Sequence, residues 1–267
     1  MKRRVGEAAA GPAVAAIPPA TAGLGAVAAP PVVDPPPLRP PTAPDTRGVS
    51  ELVAGFAIAL GGQLVYAFVA ANISGQEAAA LDAFAGPFLH SASSPALDSL
   101  MGAITTMGAS PVLIPVAGGA VILLLRARRP ARALFLLTAV LGSVLLDGIL
   151  KVVVHRARPV LPWAHVQPDF SFPSGHTMNA VSLYLALALL VWVSLGPRRG
   201  LVAAALALAL SVAVGLSRIN LGYHYLSDVV GGLAAGIGWL FVVALAFEVT
   251  PRTTAHMRWM PRRRVRS

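Results

Sequence analysis

Residues 133–154 read ALFLLTAVLGSVLLDGILKVVV, and this stretch decides the class of fold. Across its 22 residues the only charged side chains are Asp147 and Lys151, both near its end. Coiled as a helix with a rise of ~1.5 Å per residue, such a run crosses a hydrocarbon layer about 30 Å thick. Working outward, comparable apolar runs fall at 51–71, 100–125, 177–195, 200–217 and 226–248. In hydrocarbon every backbone N–H and C=O must be satisfied within the chain, which favours helices. The expected architecture is therefore all-α, a bundle of six transmembrane helices. The stretch 76–98 is too polar to span and suits a short helix at the interface.

Composition agrees. The chain of 267 residues is 56% hydrophobic and 12% charged, and its mean hydropathy is +0.71. Soluble domains carry about 25% charged residues. The formal net charge of +10 does not point to nucleic acid, because the cations sit between apolar runs and at the chain ends, as in loops beside anionic lipid. There is no cysteine, which excludes disulfides and thiolate chemistry.

Domain limits follow from the same pattern. Residues 1–48 are rich in Ala and Pro and poor in large apolar groups. They are expected to form a disordered tail. Although Lys2, Arg3 and Arg4 open the chain, Pro12, Pro18 and Pro19 interrupt the apolar core a signal peptide needs. Residues 49–250 form the membrane domain and 251–267 a basic tail. Arg126, Arg128, Arg129 and Arg132 separate the second and third runs, Arg198 and Arg199 the fourth and fifth, and Arg252 to Arg266 follow the sixth. With six spans these fall on one side, together with both termini, and the positive-inside rule makes that side cytoplasmic. The loop at 72–99, on the other side, holds Glu77, Asp82 and Asp98 but no Lys or Arg. Lys151, Arg156, Arg158 and Arg218 break the rule by facing outward, and a phosphorylated substrate held at the outer face would explain them.

Three segments carry the chemistry: Lys151 to Pro159 (KVVVHRARP), Pro173 to His176 (PSGH) and Ser217 to Asp228 (SRINLGYHYLSD). Lys151 and Arg158 are seven apart, which on a helix is two turns and one face, with Pro159 ending the span. Arg158 and Arg218 suit phosphate oxygens as forks and Lys151 as a point charge. Snorkelling would account for one such cation but less well for several beside two histidines. Ser174 and Gly175 open the fourth span, where unpaired N–H groups and the helix dipole favour an anion. His224 and Asp228, four apart, can meet on one helical face. The carboxylate would then fix the tautomer and leave the other ring nitrogen to attack phosphorus. His176 can protonate the departing oxygen and later activate water. No carboxylate cluster or Cys/His ligand set suggests a divalent metal, and no cofactor is expected.

These segments resemble the signature of the type-2 phosphatidic acid phosphatase superfamily, K-x6-R-P, P-S-G-H and S-R-x5-H-x3-D, at every fixed position from Lys151 to Asp228. The resemblance implies a six-helix membrane phosphatase with an outward-facing site, and metal-independent hydrolysis through a phosphohistidine. His224 would be the nucleophile, Asp228 its orienting partner and His176 the acid–base. Lys151, Arg158, Ser174, Gly175 and Arg218 would hold the phosphate. The implied partner is a lipid phosphate such as phosphatidic acid, phosphatidylglycerol phosphate or a polyprenyl diphosphate such as undecaprenyl diphosphate. The related vanadate haloperoxidases share the motifs but are soluble, unlike this apolar chain. The implied compartment is a bacterial plasma membrane, and no oligomeric state follows.

Other residues read more plainly. His155 is expected to be a bystander, Asp147 to pair with Lys151 or a neighbouring helix, and Gly232 and Gly236 to mark a close helix crossing. Trp163, Phe170 and Tyr225 suit interfacial anchors, or contacts to a lipid tail. Two other readings remain. A transporter or scramblase would spread its charges along a path through the bilayer, whereas these gather near one face. A silent lipid-binding relative would lack one of the two histidines.

Overall fold

The computed structural model describes residues 46–164 and 167–249. The Ala/Pro-rich tail expected at 1–48 and the basic tail expected at 251–267 therefore lie almost wholly outside the described residues. All regular structure among the described residues is helical: α1 (Thr46–Asn72), α2 (Gln76–His90), α3 (Pro95–Thr106), α4 (Ser110–Arg126), α5 (Pro130–Val154), α6 (Gly175–Leu195), α7 (Pro197–Asn220) and α8 (Leu226–Val249). Five of these are long and apolar enough to cross a membrane, and the pair α3–α4 counts as a sixth span if its two bent parts are taken together. The surface agrees with a lipid surround: Phe56, Phe68, Leu145, Val153 and Leu206 are exposed on the long helices. In water such residues would form an unfavourable patch, and in hydrocarbon they are at rest.

One expected span is corrected. The run 100–125 is not one helix but α3 and α4, bent by 41° at a short break. The cause is local. Ala109 is extended and Pro111 stands in the first turn of α4, where its missing N–H is tolerated. Tyr184 Oη satisfies the freed carbonyl of Met107, donating at 2.6 Å. Broken helices persist at membrane depth where protein covers the break. Here a Cβ on Gly108 would stand 2.8 Å from the carbonyl oxygen of His176, so the break lies against the start of α6. The polar stretch 76–98 forms α2 and the first turn of α3 rather than a single short helix.

α6 is the hub, packing on α5, α7 and α8, while α1 lies along α8 and α3 along α7. Phe135, Leu136, Leu183 and Leu240 are fully buried in the main core. Gly232 and Gly236 set the closest approach: a Cβ on the first would meet Ser174 O at 2.7 Å, and on the second Met178 O at 2.8 Å. The expected helix-packing role of this pair is thus seen, as backbone contact between α8 and the N-terminal turns of α6. That contact brings the beginnings of α6 and α8 together.

Candidate active site

The site forms where α5 and α7 end and α6 and α8 begin, and the described residues 155–164 and 167–174 between α5 and α6 contribute to it. α5 stops at Val154 because His155 takes a left-handed conformation (φ 51°). This corrects the expectation that Lys151 and Arg158 share a helical face, since Arg158 lies beyond the helix in irregular chain. They converge by another route. Lys151 Nζ donates to Asp169 Oδ2 at 2.7 Å, and Arg158 Nη2 donates to Asp169 Oδ1 at 2.7 Å. Burial tends to raise the Asp169 carboxyl, but hydrogen bonds and charge from Lys151 and Arg158 prevail and hold it down at about 2.

His224 also departs from expectation in detail. It precedes α8 rather than riding on it, in the turn between α7 and α8. The pair still meets: His224 Nδ1 lies 3.3 Å from Asp228 Oδ2. Asp228, in the first turn of α8, also accepts the backbone N–H of Tyr225 at 2.8 Å, the reach-back half of a capping box. Ser171 Oγ donates to the same oxygen. On the other side of the ring, Arg158 Nη1 approaches His224 Nε2 at 3.2 Å. A guanidinium only donates, so Nε2 is the acceptor and the ring proton resides on Nδ1, facing Asp228. Burial above all, then the nearby Arg158 and Arg218, push the His224 imidazole down to about 4 against the pull of Asp228. Its Nε2 is therefore unprotonated at neutral pH, its lone pair accepting from Arg158 until a phosphate draws that guanidinium away.

The remaining predicted residues gather around this ring. Arg218 is 5% exposed, stacks over Tyr223 with 3.9 Å from its guanidinium carbon to the ring centre, and donates to Thr105 Oγ1 at 3.3 Å. Its Nε is buried and makes no hydrogen bond among the described residues. His176 stands in the first turn of α6, where Arg218, His224, Lys151 and Arg158 are all close enough to bear on its charge. Ser174 occupies the N-cap position of α6, but its hydroxyl does not cap. It lies 3.0 Å from Thr177 Oγ1, while the Ser174 N–H donates to Asp228 O. Gly175 is forced by space: a Cβ there would stand 2.5 Å from Asp147 Oδ2. Asp147 faces Lys151 at 3.9 Å, as expected, and also wedges against α6. All eight predicted site residues thus belong to one neighbourhood.

Sequence reasoning missed four residues. Asp169 and Ser171 lie in a loop without periodicity, so nothing in the sequence aims them. Arg156 was counted among the outward cations without a task. Its Nη1 donates to Asp228 Oδ1 at 2.5 Å and to Ser227 Oγ at 2.7 Å. Its Nη2 donates to Asp82 Oδ2 at 2.6 Å. The signal available was spacing: once α5 ends at Val154, residues 156 and 158 are two apart in non-helical chain and can face one way. Asp82, on α2, is 5% exposed and was read only as loop charge. Of the aromatics, Trp163 stacks on His90 at 4.1 Å, Phe170 meets His155 edge-on at 4.6 Å, and Tyr225 lies under Arg156 at 4.2 Å. The His155 ring is exposed and, among the described residues, meets Phe170, as a bystander would. Among the described residues no three or more His, Asp or Glu side chains converge as metal ligands.

A membrane-spanning helical bundle with this clustered His/Arg/Lys site has the form of a membrane phosphatase. Comparison with known proteins makes the assignment definite. Residues 132–251 match the model of the PAP2 superfamily. Phosphatidylglycerophosphatase B of Bacillus subtilis is 34% identical over 157 residues, covering 56% of this chain and 74% of that one. Lipid A 1-phosphatase of Rhizobium etli is 35% identical over 134 residues, covering 44% of this chain and 53% of the other. The crystal structure of a transmembrane PAP2-type phosphatidylglycerolphosphate phosphatase from Bacillus subtilis superposes with a TM-score of 0.68 at 27% identity, covering 73% of this chain and 98% of that one. The chain belongs to the PAP2 superfamily and is an integral membrane phosphatase of the lipid phosphatase class.

Proposed function

We propose that the chain hydrolyses a glycerolipid phosphate, with phosphatidylglycerol phosphate the favoured substrate, through a phosphohistidine on His224. The supporting observation is the setting of that ring: Nδ1 lies 3.3 Å from Asp228 Oδ2, while Nε2 lies 3.2 Å from the Arg158 guanidinium, an arrangement that favours the proton on Nδ1. The lone pair of Nε2 attacks phosphorus and the P–O bond to the lipid breaks. The departing oxygen takes a proton from His176, which must enter the cycle as imidazolium. The phosphate dianion favours that state by offsetting the cations around it. Water then gives a proton to His176 and attacks the phosphohistidine, and the P–N bond breaks to release phosphate and restore His224. Lys151, Arg158 and Arg218 stabilise the equatorial oxygens together with the Ser174 hydroxyl and the Gly175 N–H at the start of α6. The unsatisfied Nε of Arg218 supplies one such donor.

The choice of lipid rests on the names of a curated relative and a solved structure, both from Bacillus subtilis, and on a site built where apolar spans end. In our reading both termini are cytoplasmic and the site opens on the outer face, with residues 49–250 as the catalytic unit. The test is phosphate release by purified protein in detergent with EDTA, from phosphatidylglycerol phosphate, phosphatidic acid and undecaprenyl diphosphate. Release should survive chelation, be fastest from phosphatidylglycerol phosphate, and vanish in His224→Ala. A requirement for added metal would refute the mechanism, and a faster rate on the diphosphate would refute the substrate.

A further inference from the structure

A buried polar cluster lies behind the nucleophile, on the side away from Lys151 and Arg158. Asp228 is fully buried and its two oxygens do different work. Oδ2 receives Ser171 Oγ–H, the Tyr225 N–H and the His224 ring proton. Oδ1 receives Arg156 at 2.5 Å. Arg156 in turn is gripped by Asp82 at 2.6 Å from a different helix, α2. The same Asp82 carboxylate accepts Ser227 N–H at 2.9 Å and Ser227 Oγ–H at 2.6 Å. One acid therefore holds the arginine and the first turn of α8 at once.

From this arrangement we infer that Asp82 and Arg156 are positioning residues for His224, acting through Asp228. The inference rests on the proposed role of His224 as nucleophile and adds two residues to its support. The physical need is clear. A buried carboxylate with a histidine as its only charged partner is a strong proton acceptor, and it can draw the Nδ1 proton or let the ring turn. Arg156 compensates its charge and weakens it as a base, so the proton stays on the ring and the lone pair stays on Nε2. Asp82 fixes the guanidinium in its two-armed orientation and offsets part of its charge. Second-layer partners of this kind orient a functional imidazole without touching substrate. Burial tends to neutralise Arg156, yet Asp228 and Asp82 together hold its guanidinium above the ordinary arginine range. The other ionisable groups facing His224 are Arg158 from the connection 155–174, Arg218 from α7 and His176 from α6.

The test uses the full chain in detergent with short-chain phosphatidylglycerol phosphate, reading kcat, KM and the acid limb of kcat/KM. Arg156→Ala should lower kcat by about 100-fold and leave KM within about twofold, the range for loss of a second-layer partner. Its acid limb should move to higher pH, because the stronger Asp228 base favours imidazolium. Asp82→Asn should lower kcat by about tenfold and move the limb to lower pH, because Arg156 is then less compensated. Arg156→Lys keeps the charge but loses the fork, so kcat should fall while the limb stays. The double variant should be slower than Arg156→Ala by well under the roughly tenfold that Asp82→Asn costs alone, since Asp82 acts chiefly through Arg156 and otherwise through Ser227. Variants are compared at equal monodispersity, and Asp82→Asn with Arg156→Lys suffices if Arg156→Ala does not fold. Losses that multiply in full, a KM that rises as kcat falls, or limbs that do not part in opposite directions would overturn the inference. His224→Ala separates the two readings. If it remains active the nucleophile assignment fails. If it is inactive while the other variants behave in the overturning way, only the positioning role is lost.

Discussion

His224 is neutral over most of the pH range because burial and two arginines act against its charge. Its folded-state pKa of about 4 lies below the ordinary imidazole value, so the attacking lone pair is lost only in acid. The acid limb of kcat/KM should therefore lie well below pH 6, as long as His224 governs it. A limb near 6.5, the ordinary imidazole value, would show that the ring is not buried as described. Asp169 makes a second point at this scale. Its carboxylate occupies Lys151 and Arg158, the cations that the proposed mechanism assigns to phosphate. Substrate phosphate must compete with it. Asp169→Asn should lower KM for a lipid phosphate by about three- to tenfold, the scale of the net worth of one ordinary hydrogen bond, because the exposed carboxylate is partly screened by solvent. Steady-state kinetics over a substrate series decides this, and an unchanged or raised KM would show that Asp169 helps build the cradle.

At the scale of elements, the site depends on how closely α8 approaches α6. The carbonyls of Ser174 and Met178 stand where side chains at 232 and 236 would have to go. Gly236→Val should separate the helices or strain them, costing about 1–3 kcal/mol, the usual penalty of overpacking. The expected sign is a lower Tm in detergent and reduced activity together, because His224 and Ser174 move apart with the helices. The same variant at Gly118, where a Cβ meets nothing within 4 Å, should leave both nearly unchanged. The break between α3 and α4 belongs to this scale as well. It sets Thr105 against Arg218 and Gly108 against His176, so a bent span borders the site on two sides.

For the molecule as a whole, the distribution of cations predicts topology. Arg128, Arg129, Arg198 and Arg199 cluster at the ends of α4, α5 and α7 away from the site. The chain has no cysteine, so single cysteines can report sidedness without a background. Arg129→Cys and Arg199→Cys in intact cells should resist a membrane-impermeant maleimide, while Ala92→Cys, in the exposed link between α2 and α3, should be labelled. The reverse pattern would place the active site in the cytoplasm and require a substrate on the inner leaflet.

Long apolar runs separated by arginine clusters were enough to read a helical membrane bundle, because in hydrocarbon the backbone has few other ways to satisfy itself. The three motif segments likewise named the eight residues that meet at the site, since a phosphoryl-transfer chemistry can be recognised from residue types at fixed spacing. What lay outside the sequence's reach was anything set by non-local contact. The left-handed turn at His155, not Pro159, ends α5, and it turns Arg156 toward α8. The break at Met107 to Ala109 is stable because Tyr184, from another helix, satisfies the freed carbonyl. Asp82 is a loop acid in one dimension and the anchor of Arg156 in three. Hydrophobic periodicity is a property of neighbours in the chain, whereas the pairing of buried charges depends on which helices happen to cross, and only the tertiary structure decides that.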